Sequence, residues 1–374
     1  MRASAFARTY GGKRVFITGH TGFKGSWLAF WLANCGAEAF GFALPPDDDQ
    51  RLFDQLQLDR YLAVDRRADV RDAAALASAV EEAKPDFVFH LAAQPLVRPS
   101  YESPAETFAV NVQGVVNLLE AIRVQGRRCV VVVVTTDKCY ENREHLWGYR
   151  EDDPLGGHDP YSASKACAEI AASAYRRSFF SACETTRLAS ARAGNVIGGG
   201  DWSRDRIVPD CIRALRRGEP IPVRNKVATR PWQHVLEPLS GYLWLAATMA
   251  APGRLGRPDA KDLCHAFNFG PELASNRTVA QLVDELLKHC AGTWRDCSDP
   301  AAVHEAGKLN LAIDKAHHVL GWRPSWNFAE TVARTAQWYA AEARAEDLVE
   351  FTARQIADYE TAAQAAGNAW TQAT

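Results

Sequence analysis

Thr18-Gly19-His20-Thr21-Gly22-Phe23-Lys24-Gly25 is the stretch on which the fold turns. Its glycines, spaced GxxGxxG, follow an apolar run from Arg14 to Thr18 and precede an apolar helical stretch from about Ser26 to Cys35. Glycine allows a tight turn and close backbone approach, so amides at the helix start can face a pyrophosphate. Gly-rich turns are common. One between a first strand and a first helix marks a dinucleotide-binding unit. Further strands are expected at about 37–44, 61–64, 86–91 and 130–134, with helices at 73–82 and 104–124. Val130 to Val134, five valines in a row, reads as a strand buried on both faces.

Apolar strands linked by helices predict an α/β fold, a Rossmann-type doubly wound parallel sheet with a smaller C-terminal substrate-binding lobe. The expected division is 1–188 for the dinucleotide-binding domain, with a return segment at about 236–270. Residues 189–235 and 271–374 then form the lobe and C-terminal helices. Gly198-Gly199-Gly200 and four prolines between Pro209 and Pro231 break the pattern where that lobe begins.

The 374 residues carry 43 Lys+Arg against 45 Asp+Glu, a net charge of −2. That balance excludes a global attraction to nucleic acid or to an anionic membrane, so an anionic ligand must be held by local groups. No run approaches the ~18 apolar residues of a membrane span, and Met1–Gly12 lacks the apolar core of a signal peptide. Nine cysteines without CxxC pairs point to reduced thiols in the cytoplasm and to no metal site.

Tyr161-Ser162-Ala163-Ser164-Lys165 follows Pro160 and opens a helix, where residues four apart share a face. A lone YxxxK arises often by chance. This one stands about 25 residues after Thr135-Thr136 at the end of the valine strand. A tyrosine with pKa ~10 must lose about three units to act as a base near neutrality, or ~4 kcal/mol of phenolate stabilisation. Lys165 and a positive nicotinamide can supply that, while Thr136 holds the reacting hydroxyl.

The glycine spacing and the Ser/Thr–Tyr–Lys order resemble the short-chain dehydrogenases/reductases, in their extended, sugar-nucleotide branch. Within that branch, Thr135-Thr136-Asp137-Lys138-Cys139-Tyr140-Glu141-Asn142, Gly148-Tyr149-Arg150-Glu151 and Asp159-Pro160-Tyr161 resemble the cytidine-diphosphate-glucose 4,6-dehydratase family. The resemblance implies NAD as cofactor and CDP-glucose as substrate. It makes Thr136, Asp137, Lys138, Tyr161 and Lys165 catalytic. Tyr161 would take the C4 hydroxyl proton as hydride passes to NAD, and Asp137 would protonate the departing C6 hydroxyl. Lys138 stands where most relatives carry a glutamate base for C5; a structural Asp137–Lys138 ion pair is the other reading.

The resemblance also implies cofactor contacts at Gly19, His20, Thr21, Gly22, Phe23, Lys24 and Gly25. Further contacts fall at Asp69, Val70, Leu91, Ala92, Ala93, Asn111 and Thr135, together with Tyr161 and Lys165. No carboxylate ends strand two, which reads Gly41-Phe42-Ala43-Leu44; Asp47 to Asp49 are candidate substitutes. NAD against NADP therefore stays open from strand two. Substrate contacts are expected at Gln94, Tyr140, Asn195, Arg206, Arg230, Trp232 and His234, with arginine suited to bidentate phosphate contact. The helices at 104–124 and 162–180 are apolar on more than one face, and since such helices pack against a second subunit in that family, the resemblance implies a homodimer. Another nucleotide-sugar dehydratase, a 4-epimerase, or a non-catalytic dinucleotide-sensing regulator are the alternative readings.

Overall fold

The computed structural model describes residues 4–46, 51–181, 185–251, 260–298 and 308–372. Among these, the strands β1 Arg14–Thr18, β2 Glu38–Ala43, β3 Leu62–Arg67, β4 Phe87–His90, β5 Cys129–Val134, β6 Thr186–Ala193 and β7 Ala266–Phe269 form one sheet. Its order is β7-β6-β5-β4-β1-β2-β3, and every pairing is parallel. The order reverses between β1 and β4, which opens a crevice beyond their carboxyl ends. The expected doubly wound parallel sheet is thus present, with one strand beyond the six of the common order.

The helices of eight or more residues are α1 Phe23–Asn34, α2 Ala73–Ala83, α3 Gly114–Gln125, α4 Pro160–Tyr175, α5 Ile207–Arg216, α6 Leu236–Ala250, α7 Val279–Leu286, α8 Phe328–Ala343 and α9 Leu348–Ala365. The valine strand shows how they divide. Val130, Val132 and Val134 pack into one core with Trp27 of α1 and Leu239 and Leu243 of α6. Val131 and Val133 pack into the other with Leu118 and Leu119 of α3 and Ala168 and Ala172 of α4. Period-two alternation with both faces apolar leaves no polar position in β5.

Two details differ from the sequence expectations. The boundary expected at 188/189 falls inside β6, because the strand stays in register with β5 through Val134 and Ala191. The helix expected over 104–124 is interrupted by a π-helical turn at Ala109–Gln113. The expected C-terminal helices are α8 and α9, separated by a turn with Ala345 at φ +54°.

The tryptophans explain how the tail is held. Trp27 Nε1 donates to Gly199 O (2.9 Å), Trp31 Nε1 to Glu360 (3.0 Å), Trp244 Nε1 to Leu320 O (2.7 Å) and Trp322 Nε1 to Ser240 Oγ (2.9 Å). Each buries a large ring and satisfies its polar tip across two distant segments. Trp31 thereby ties α1 to α9, and Trp244 and Trp322 tie α6 to the segment before α8.

Candidate active site

A cleft of about 1020 Å³ runs along the carboxyl edge of the sheet into the lobe. Its floor is the glycine turn. Gly19 has φ +75°, and a Cβ there would sit 2.7 Å from Ala92 N. A Cβ on Gly25 would meet Gly19 O at 2.0 Å, so these two glycines let the turn close on itself. Gly22, the N-cap of α1, is different: a Cβ there meets only Gly19 O, at 3.5 Å. That open face before a helix N-terminus is the space a pyrophosphate fills, so the residues present fit a dinucleotide.

Thr21, Phe23, Lys24, Asp69, Val70, Leu91, Ala92, Ala93 and Thr135 also line the cleft. Thr21 Oγ1 donates to Leu44 O at 3.0 Å and fixes the end of β2 over the turn. Asp69 is held below the usual carboxylate range by the Arg71 guanidinium, 2.6 Å away. Asp47 to Asp49 lie outside the described residues.

His20 and Asn111, expected as cofactor contacts, are not among the residues that line the cleft. The buried His20 ring slides beneath β2, where a Cβ on Gly41 would be 2.6 Å from it, and its Nε2 bonds Asp65 at 2.8 Å. Asn111 accepts from Gln94 N (2.8 Å) and donates to Gln94 O (3.1 Å) and Ser164 Oγ (2.8 Å). It ties the loop after β4 to α4, so its part is to position rather than to touch a ligand.

Capping sets the chemical end. Asp159 accepts from Ser162 N at 2.9 Å with Pro160 at the first helical position, so α4 starts sharply and Tyr161 falls in its first turn. Lys165 follows one turn later and its Nζ donates to Val134 O at 3.2 Å. The Tyr161 phenol hydrogen-bonds Thr136, whose Oγ1 donates to Asp137 Oδ1 at 3.0 Å. Thr136, Asp137, Lys138, Tyr161 and Lys165 all line the cleft.

Burial shapes each of these groups. It raises the phenol of Tyr161 to about 12, against the pull of the Thr136 hydrogen bond. It lowers the Lys165 ammonium to about 8, opposed by Glu169. Asp137 is 2% exposed, and burial raises its carboxyl against the cations of Lys138, Arg230 and Lys24. Among the described residues its buried Oδ2 has no hydrogen-bond partner, and a Cβ on Gly194 would lie 2.8 Å from it. A buried carboxyl with a raised pKa and an unpartnered oxygen beside the cleft is suited to donate a proton.

On the lobe side, Asn195, Arg206, Arg230 and Trp232 line the cleft. Arg206 pairs with Asp201 at 2.9 Å, and Arg230 lies close enough to Asp137 to favour its charged form. Trp232 is 3% exposed, with its Nε1 donating to Arg277 O at 3.0 Å, so little of its ring is left for stacking.

Three expected substrate contacts are not in the cleft. Gln94 Nε2 donates to Leu96 O and Thr107 Oγ1, both at 3.0 Å, and spends its polar atoms on its own loop. The buried Tyr140 hydroxyl donates to Asn268 at 2.7 Å and accepts from Arg192 at 2.8 Å. His234 is buried between Trp27 and Trp326, and burial lowers it to about 3.

Glu169 is a group the motif reading missed. It accepts from the hydroxyl of Thr135, from Ser190 Oγ (2.7 Å) and from Arg192 Nη2 (2.8 Å), all buried. Its signal was its place: four residues after Lys165, on the face of α4 that carries Tyr161 and Lys165.

Strand order, glycine turn and the Thr–Tyr–Lys group together define the extended short-chain dehydrogenase/reductase class. A sequence model of the family described as GDP-mannose 4,6 dehydratase matches residues 16–335, and the chain belongs to that family. It is 46% identical over 360 residues to the CDP-glucose 4,6-dehydratase of Salmonella typhimurium, covering 94% of this chain and 97% of that one. It is 32% identical over 276 residues to the dTDP-glucose 4,6-dehydratase of Streptomyces antibioticus, covering 73% and 75%. Among solved structures, DesIV, the dTDP-glucose 4,6-dehydratase of Streptomyces venezuelae with NAD and TYD bound, superposes at TM-score 0.73. Identity there is 25%, with 90% of this chain and 99% of that one covered.

Proposed function

We propose that this chain is a CDP-glucose 4,6-dehydratase, converting CDP-D-glucose to CDP-4-keto-6-deoxy-D-glucose and water. The observation that carries this reading is the 46% identity over 94% of the chain to a protein of that activity. The Thr136-Asp137-Lys138 order at the end of β5 supports it, as do the cleft positions of all three residues.

NAD is the cofactor in this reading, held by the open face at Gly22 and the strand ends at Asp69 and Ala92. When bound, it supplies the oxidation of C4 and the later reduction at C6, with no net redox change. Tyr161 takes the C4 hydroxyl proton and Thr136 orients that oxygen. Lys165 favours the phenolate. Lys138 takes the C5 proton once C4 is a ketone, and Asp137 gives its proton to the departing C6 oxygen. Arg206, Arg230 and Asn195 receive the diphosphate.

Incubation of the enzyme with CDP-, dTDP-, GDP- and UDP-glucose tests the assignment. The alkaline absorbance of a 4-keto-6-deoxy sugar should arise from CDP-glucose at a rate at least tenfold above the others, about 1.4 kcal/mol of discrimination. Equal rates with dTDP-glucose, or an epimerised sugar, would overturn it.

We also propose a cytoplasmic homodimer. No helix among the described residues is long and apolar enough to cross a membrane, and eight cysteines are present as thiols rather than disulfides. Ile170 on α4 and Tyr101, Phe108 and Phe179 on the helical segments beside α3 and α4 are exposed large side chains, a surface suited to a second copy. Sedimentation should give a dimer, and Ile170→Asp should shift it to monomer. A wild-type monomer at micromolar concentration would remove the proposal.

A further inference from the structure

The first turn of α1 carries a cation where a helix end favours an anion. Lys24 is the second residue after the Gly22 N-cap, and no acidic side chain shares that turn. It lines the cleft and is only partly exposed. No ion pair or hydrogen bond reaches its amine among the described residues. Such a placement costs stability twice, through the helix dipole and through desolvation.

The charges that face Lys24 come from three other elements. Arg206, the residue before α5, repels it, as does Lys165 of α4. Asp137, after β5, attracts it. Those neighbours are already engaged: Arg206 with Asp201 at 2.9 Å, and Lys165 with Val134 O at 3.2 Å. Burial raises the Asp137 carboxyl, opposed by the cations around it, Lys24 among them. Among the described residues Lys24 therefore makes no ion pair of its own, and positive charge gathers at this point of the cleft.

Its surroundings also say which anion it meets. The dinucleotide pyrophosphate has the open face at Gly22 and the backbone amides of the turn. The charges that Lys24 meets are instead groups of the chemical centre and the lobe, Arg206, Asp137 and Lys165, and it lines the cleft with them. We propose that Lys24 pairs, together with Arg206, with a diphosphate oxygen of the nucleotide sugar. This rests on the nucleotide-sugar reading but not on the identity of the base.

A protonation consequence follows. Burial, then Arg206, lowers the Lys24 amine to about 7, so the free enzyme holds both amine and ammonium near neutrality. A bound diphosphate favours the ammonium, and binding takes up a proton. Affinity should fall as pH rises above about 7. Asp137 and Lys165 also titrate nearby, so the difference between wild type and a Lys24 variant isolates this amine.

The test is calorimetric titration of the NAD-saturated enzyme with CDP at about pH 6 and about pH 8.5, on either side of that value. Wild type should bind CDP several-fold more weakly at the higher pH. Lys24→Met should lose about tenfold at the lower pH, the size of one charge-assisted contact, and lose most of the pH response. Lys24→Arg, charged throughout, should keep the affinity and lose the response. It also covers the case in which the Met variant fails to fold.

Wild-type CDP affinity and pH response in both variants would overturn the proposal. So would a loss of NAD affinity with CDP binding unchanged, which assigns Lys24 to the dinucleotide. Should wild type bind dTDP and not CDP, the base assignment falls, and the same series with dTDP decides Lys24.

Discussion

Replacing Tyr161 by Phe is expected to lower kcat by on the order of 10³- to 10⁴-fold while leaving the fold intact. The phenol sits in the first turn of α4 with Thr136 as its one side-chain hydrogen-bonding partner. Burial raises it to about 12 in the free protein. A base at pH 7 would then lack about five units, or ~7 kcal/mol of phenolate stabilisation. The protein prepares the remedy in its wall rather than at the phenol. Lys165 lies one turn along, anchored to Val134 O, with Glu169 behind it to keep its charge in a dry site. The positive ring of bound NAD adds the rest.

Phe keeps the ring and removes only the hydroxyl, so the melting temperature should change little. Adding CDP-glucose should then produce no reduced-cofactor absorbance, because C4 oxidation is the first step lost. Lys165→Met should instead leave a slow enzyme whose kcat rises toward alkaline pH, since the phenolate must form unaided. Turnover by Tyr161→Phe within tenfold of wild type would remove Tyr161 as the base.

What the sequence disclosed and what it hid follow one physical division. Backbone course was legible because it depends on period and punctuation. Five valines can only be a strand covered on both sides, and the glycines at 19 and 25 can only be a turn that closes on itself. Tyr161 and Lys165 were legible because helix geometry puts them on one face. Side-chain direction was not legible for residues beside a motif. His20 goes under β2 because Gly41 leaves room there, a pairing 21 positions apart in sequence. Gln94 folds onto its own loop, and Tyr140 bonds Asn268 across 128 positions. His234 is enclosed by tryptophans from α1 and from the segment before α8. His20 and Tyr140 found polar partners that only the tertiary fold brings close, and His234 a tertiary enclosure of rings. The Glu169–Arg192 pair is the same effect with the opposite outcome. Neither residue was read as part of the site, and the structure uses the pair to brace the wall behind Lys165.

Asp137→Asn should stop the reaction one step later than Tyr161→Phe and leave a different trace. Asp137 is buried, its Oδ2 unpartnered, and its carboxyl raised by desolvation. As a general acid it must carry a proton that Asn cannot give. C4 oxidation does not need that proton, so the reduced-cofactor absorbance should appear on mixing and persist. Overall turnover should drop by about 10²- to 10³-fold, the range for one acid–base group.

Lys138→Ala should also stall with reduced cofactor, but earlier in the proton sequence. Exchange at C5 separates the two. In heavy water, substrate recovered from Asp137→Asn should carry deuterium at C5, because Lys138 still removes that proton. Substrate from Lys138→Ala should not. Unimpaired dehydration by Lys138→Ala would leave it a structural partner of Asp137.

The stability trace runs against the activity trace. A carboxyl whose folded pKa is raised binds more protons folded than unfolded, so it costs stability increasingly as pH climbs above the unfolded value. Asn removes that cost, and Asp137→Asn should melt higher than wild type at pH ~8. A variant both slower and more stable is what a buried acid kept for chemistry predicts. Wild-type turnover, or a lower melting temperature at that pH, would place the acid elsewhere.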